Sequence, residues 1–291
     1  MSSSCVEQLR LISEEPKLYR FISNHGNSLS IFPGRGGLIS SWKVLDRECL
    51  YFDSQRFADP SKSIRGGIPV LFPICGNLPG DALRLPKGIY PMPQHGFARD
   101  LPWSLQGLED CSGVELTLRH SEATLCHYPF PFRLSIQYQL EPSSLVITAD
   151  VHQLSSGSAA MPFSLGLHPY FSISDLRAVS VQGLPSPCCN HLTMETASTS
   201  EQLLCIAEGV DLLAGPASSV TLRDAGANRA IELQLQAPLD LAVVWSEPPR
   251  PMVCLEPWTA PRGSLATGDR CLWLNPGDSM SFQCRYSLIE A

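Results

Sequence analysis

Apolar and polar residues alternate with a period of two over much of the chain. Val114, Leu116 and Leu118 alternate with Glu115, Thr117 and Arg119, and Leu134, Ile136, Tyr138 and Leu140 with Ser135, Gln137 and Gln139. After Glu-Pro-Ser-Ser at 141–144 the alternation resumes through Leu145, Ile147, Ala149 and Val151, which predicts a hairpin. Ile231, Leu233 and Leu235 repeat the pattern, and Met280, Phe282, Cys284, Tyr286 and Leu288 close the chain with it after an Asn-Pro-Gly-Asp turn at 275–278. Such runs put one face in a core and one in water, so each predicts a β-strand. Helical periodicity is weak, and only residues 197–207 predict a short helix. No linker, charge block or internal repeat interrupts the pattern. Residues 1–291 therefore predict one all-β domain, a large antiparallel β-sandwich of two sheets packed face to face, with few short helices.

Composition narrows the function classes. With 291 residues, 44% hydrophobic and 17% charged, the chain is neither disordered nor too short for a sizeable core. Its 25 prolines argue for short elements joined by turns. A net charge of -7 with no Lys/Arg cluster speaks against a nucleic-acid partner. No apolar run reaches membrane-spanning length, and the opening Met-Ser-Ser-Ser-Cys-Val-Glu-Gln lacks the apolar centre of a secretion signal. A cytoplasmic location is expected, with the 11 cysteines mostly reduced core residues. Cys-x-x-Cys, His-x-His and His-Glu-x-x-His are missing, as are Gly-x-Gly-x-x-Gly, a Walker A lysine and Gly-x-Ser-x-Gly. A zinc or redox site is therefore not expected, and metal-binding barrel enzymes and zinc proteases lose support.

Four segments carry unusual residues for loops. They are Arg65-Gly-Gly-Ile-Pro-Val-Leu-Phe-Pro73, Gln94-His-Gly-Phe-Ala-Arg99, Gly166-Leu-His-Pro-Tyr-Phe171 and Cys254-Leu-Glu-Pro-Trp-Thr259. Each sets a charged or titratable residue beside glycine, proline and aromatics, a mixture suited to a rigid pocket wall.

The order of these segments resembles the galactose mutarotase-like superfamily, the aldose 1-epimerases. The Arg-Gly-Gly-Ile-Pro and Gln-His-Gly-Phe-Ala-Arg versions are similar to its hexose-6-phosphate mutarotase branch. The resemblance runs from about Leu29 to Leu288. It implies a many-stranded β-sandwich that opens and recloses an aldose ring, with no metal and no nucleotide cofactor. Glu256 then matches the family's base and His168 its acid. Taken alone, Glu256 reads better as a strand-end carboxylate in a surface salt bridge, and His168 has the alternative of a core imidazole bonded to backbone. Apolar neighbours of Glu256 would raise its pKa, and a nearby carboxylate would favour protonated His168. His95 matches a histidine that binds sugar hydroxyls, or else it is a turn histidine before Gly96. Gln94, Arg99 and Arg65 match substrate-holding residues of the phosphorylated-sugar branch, and two converging guanidinium groups suit a phosphate. The alternative pairs Arg99 with Asp100 or Asp110 and has Arg65 cap a loop. Asp211 resembles an aspartate that bonds a ring hydroxyl, or else it caps a loop. Trp258, Phe72, Phe97 and Tyr170 read as sugar-stacking rings and as core alike.

The reading is an aldose 1-epimerase acting on a hexose, with a hexose 6-phosphate favoured and Glu256 and His168 as general base and acid. The expected partner is a small sugar or sugar phosphate, with neither nucleic acid nor membrane, and the chain is expected as a monomer or weak homodimer. The alternative is a non-catalytic carbohydrate-binding or sugar-sensing protein on the same scaffold. A glycoside-processing enzyme ranks last, because only one carboxylate sits in a pocket-like segment.

Overall fold

The computed structural model describes residues 8–290, so most of the opening on which the expected location rests lies outside the described residues. Strands dominate. Among the described residues the four α-helices are Ser54–Phe57, Glu122–Leu125, Thr199–Leu204 and Ser264–Thr267, the longest of six residues. Thr199–Leu204 lies within the helix expected at 197–207. No helix among the described residues is long and apolar enough to cross a membrane.

The alternating runs form one eight-stranded sheet. Its order is Val179–Gln182, Ser219–Asp224, Arg229–Leu235, Ser279–Glu290, Ser144–Gln153, Phe132–Leu140, Gly113–Arg119 and Ser104–Gly107. All neighbours pair antiparallel. The predicted hairpin closes with Leu140 opposite Leu145. Its register aligns Leu116, Ile136, Ala149 and Phe282 across four strands. All four are buried, whereas the next row includes part-exposed Thr117 and Asp150 and exposed Ser281. This is the period-two pattern converted into one dry face and one wetter face.

A second large sheet covers the dry face. Its order is Glu195–Ala197, Cys188–Asn190, Asp211–Ala214, Leu241–Ser246, Met252–Trp258, Gly166–Leu167 and Val70–Leu71, with Tyr170–Ser172 also pairing to Met252–Trp258. Tyr286 Oη of the first sheet donates to the Leu255 carbonyl of the second at 2.8 Å, and the Phe171 and Tyr286 rings pack 5.1 Å apart. The two sheets therefore meet face to face, as the alternation predicted.

Two features depart from the sequence reading. Residues 9–48 form a five-stranded antiparallel meander, for which no alternating run had been singled out. The Cys254–Thr259 segment, read as loop-like, lies almost wholly in the strand Met252–Trp258, whose seven residues are all buried. A strand covered on both faces shows no alternation, so periodicity cannot distinguish it from a buried loop.

Candidate active site

The strand Met252–Trp258 sends its residues two ways. Val253 and Leu255 join the main core between the sheets, while Cys254, Glu256 and Trp258 face the other side. Two short strands pair with it, with Gly166 opposite Trp258 and Tyr170 opposite Cys254. The residue midway between them is His168, and the register carries it to Glu256. His168 Nε2 lies 3.2 Å from Glu256 Oε1. The other carboxyl oxygen, Oε2, accepts a hydrogen bond from Trp258 Nε1–H at 3.0 Å, which fixes the carboxyl plane. Gly166 permits this closeness, since a Cβ there would come within 2.8 Å of Trp258 Cδ1 and 2.9 Å of Cys75 Sγ.

This pair borders a cavity of about 270 Å³, whose wall includes Arg65, Gln94, His95, Arg99, Asp211 and Arg262. Every site residue proposed from the sequence thus meets in one hollow. A larger cavity of about 560 Å³ lies by Pro16, Phe32 and Phe57, but among the described residues its lining holds no carboxylate or imidazole. Trp258 and Tyr170 line the site, whereas Phe72 and Phe97 belong to the core.

His95 has a defined tautomer. Its Nδ1 accepts from the Gly76 amide at 3.1 Å, so a neutral ring carries its hydrogen on Nε2 and is a donor there. Burial, His168 and Arg99 hold its pKa well below the usual value, which keeps it neutral. The turn that delivers it is built for this. His95 and Gly96 both have left-handed backbone, and a Cβ on Gly96 would sit 2.2 Å from the Phe72 carbonyl oxygen.

The arginines differ in how far they are already neutralised. Arg65 spends its fork on Glu247, at 2.9 and 3.3 Å, and lies 5.4 Å over the Trp245 ring. It also donates to the Ser63 hydroxyl and the Ile64 carbonyl, so it braces its loop as well as lining the cavity. Arg99 bonds the Gln94 carbonyl at 2.9 Å, and its ion pair with the more exposed Asp100 is looser, at 3.7 Å. Arg262, not singled out in the sequence, bonds Asp211 Oδ2 at 2.9 Å and lies 5.9 Å over Trp258. Asp211 Oδ1 meets His191 Nδ1 at 2.8 Å, and the His191 ring stacks on Trp258. Arg262 was legible as another arginine among proline and glycine, in Pro261-Arg262-Gly263, whereas nothing local marks His191.

Burial decides the protonation of the central pair. It raises Glu256 well above the carboxylate range, helped by the Asp211 charge and opposed by the Trp258 bond. It pushes His168 down to about 3, and the guanidinium of Arg99 adds to the fall. This corrects the expectation that the carboxylate would keep His168 charged, because the cost of burying two ions outweighs their attraction here. Both directions favour a resting pair that shares one proton, drawn toward Glu256 and away from His168.

A stability prediction follows from that count. Ordinary values are 4.5 for the carboxyl and 6.5 for the imidazole. Between them the unfolded chain also holds one proton on these groups, so they add no slope. Above 6.5 the unfolded chain holds none, while the raised Glu256 favours keeping one in the folded pair, so stability falls as pH rises. Below 4.5 the unfolded chain holds two, so stability falls on acidification. Urea unfolding of the native chain against the Glu256→Gln/His168→Asn double variant across this range should show a flatter profile for the variant. Identical profiles would contradict the count.

His168, Cys254 and Glu256 bring donor atoms within 4.8 Å of one another, close enough to hold a metal ion. Against a cation stand the guanidinium groups of Arg65, Arg99 and Arg262 around the same hollow, and burial that keeps the Cys254 thiol protonated.

The family profile for aldose 1-epimerase matches residues 19–287. The chain belongs to the aldose 1-epimerase family. The solved structure of the Slr1438 protein from Synechocystis sp. PCC 6803 is 37% identical to this family member, with a TM-score of 0.86 over 91% of this chain and 92% of that one. A galactose mutarotase-like protein from Clostridium acetobutylicum shares the fold, with a TM-score of 0.82 over 97% and 98% of the two chains at 18% identity. Two curated relatives carry the name "Putative glucose-6-phosphate 1-epimerase". The one from Salmonella typhimurium is 31% identical over 56% of this chain, and the one from Escherichia coli 30% over 62%. The matches span 51% and 58% of those relatives' own lengths.

Proposed function

We propose that this pocket interconverts the α and β anomers of a hexose, and that its preferred substrate is a hexose 6-phosphate. The observation that carries the reading is the buried His168–Glu256 contact of 3.2 Å on the wall of a monosaccharide-sized hollow. At about 270 Å³ the cavity falls just under the roughly 300–1,000 Å³ of drug-sized sites, so it suits one sugar ring rather than a chain of them.

Ring opening needs one proton taken and one given. The proton on the sugar's C1 hydroxyl goes to the base, the C1–ring-oxygen bond breaks as the aldehyde forms, and the acid protonates the ring oxygen. Rotation about C1–C2 and the reverse transfers then give the other anomer. With Glu256 as base and His168 as acid, the reactive form is carboxylate beside imidazolium. It is one proton shift along the Oε1–Nε2 line away from the resting form, so the site takes up nothing from solvent. Two arginines that help depress His168, Arg99 and Arg65, are also candidates for holding a phosphate. A bound phosphate dianion would offset their charge and so favour the imidazolium. The Nε2–H of His95 supplies a donor to a sugar oxygen, and Gln94 closes the rim.

A panel of free and 6-phosphorylated aldoses in an anomer-exchange assay tests the reading. Exchange above the buffer rate is expected, fastest for a 6-phosphate. Tight binding of these sugars with no acceleration would favour the sugar-sensing alternative instead.

A further inference from the structure

The resemblance offered Asp211 either a sugar hydroxyl or a loop cap, but both oxygens of that carboxylate are already engaged. Oδ1 meets His191 at 2.8 Å and Oδ2 meets Arg262 at 2.9 Å. The side chain is only 10% exposed. Each oxygen keeps a further lone pair, but both are already held, and breaking either contact would strand a nearly buried charge, so the carboxylate's first task is to hold Arg262 and His191. Arg262 is in the opposite condition. Its fork has five N–H donors. One goes to Asp211, and its Nε is buried without a partner among the described residues. The guanidinium lies over Trp258, the ring that also fixes Glu256. Room is made for it by Gly76, where a Cβ would come 2.3 Å from Arg262 Cγ.

We infer that Arg262 contacts a ring hydroxyl of the sugar, and that Asp211 and His191 are positioning residues that hold the guanidinium against the pocket. The chemical class it reads is a neutral oxygen acceptor and not the phosphate. Asp211 already compensates its charge at 2.9 Å, whereas Arg99 has only the looser, more exposed Asp100 at 3.7 Å and remains the more anion-seeking group. The position thus presents donors where the sequence had suggested an acceptor. The choice of hydroxyl is then set by residues from three distant parts of the chain: Arg262, Asp211 and His191.

This inference rests on the sugar-binding part of the proposed function and not on turnover. The test is binding of glucose 6-phosphate and its ring-monodeoxy analogues by calorimetry, to the native chain and to Arg262→Ala, Arg262→Lys and Asp211→Asn. The native chain should bind one analogue roughly 10- to 100-fold more weakly than the parent sugar, the span of a hydrogen bond to a charged group. Arg262→Ala should lose that discrimination by binding parent and analogue alike. Arg262→Lys keeps the charge beside Asp211, guards against misfolding and should restore part of the discrimination. Asp211→Asn should weaken discrimination less than Arg262→Ala. If Arg262→Ala still separates the analogues as the native chain does, or if Asp211→Asn alone abolishes the separation, the inference is overturned. A native chain that binds the sugars but turns none over sinks the catalytic reading and leaves this one standing. A native chain that binds none overturns both.

Discussion

Glu256→Gln should lower the rate of anomer exchange by roughly 100- to 10,000-fold, the usual contribution of one placed acid or base. Glutamine keeps the shape of the side chain, and its amide oxygen can still accept from Trp258 Nε1–H. It cannot take the C1 hydroxyl proton or return it. Because burial favours the protonated carboxyl, the swap replaces one neutral group with another. The variant should therefore fold with stability close to that of the native chain, and sugar affinity should change by no more than about threefold. The loss belongs in kcat, and rate and affinity measured on one preparation separate the two. A large rise in KM with kcat unchanged would make Glu256 a binding group instead.

Arg99→Ala should raise KM for glucose 6-phosphate by roughly 10- to 100-fold while leaving free glucose nearly untouched. Arg99 is singled out over Arg65 because the Arg65 fork is already committed to Glu247 at 2.9 and 3.3 Å. Arg99 lies beside the cavity, and among the described residues its one carboxylate partner is loose, at 3.7 Å. Added salt should narrow the preference of the native chain for the phosphorylated sugar and leave the variant unaffected, since a phosphate contact is screened and a hydroxyl contact is not. Equal losses on both sugars would mean that Arg99 holds the Gln94 turn and not the phosphate.

The eight-stranded sheet was legible because it has one dry and one wet face, and Leu116, Ile136, Ala149 and Phe282 announce it by simple alternation. The strand that carries Glu256 was not, because it is dry on both faces. Its chemistry surfaced only through resemblance of the surrounding motif. The nearness of His168 to Glu256 follows from strand register, which no single segment displays. The protonation of that pair was misread for a related reason. Local neighbours suggest attraction between a carboxylate and an imidazole, whereas the controlling quantity is burial by residues far away in the chain. Arg262 and His191 escaped for the same cause, and Asp211 was singled out without its two partners, since only the fold joins the three around Trp258.

The central claim is that Glu256 and His168 act as one proton-transfer unit on a sugar. It is tested most directly by NMR magnetisation exchange between the anomers of glucose 6-phosphate, measured with the native chain, Glu256→Gln, His168→Asn and the double variant. Groups that work together lose most of their effect when either is removed, so the double variant should be little slower than the worse single one. Exchange at the native rate in the double variant, or losses that simply multiply, would contradict it.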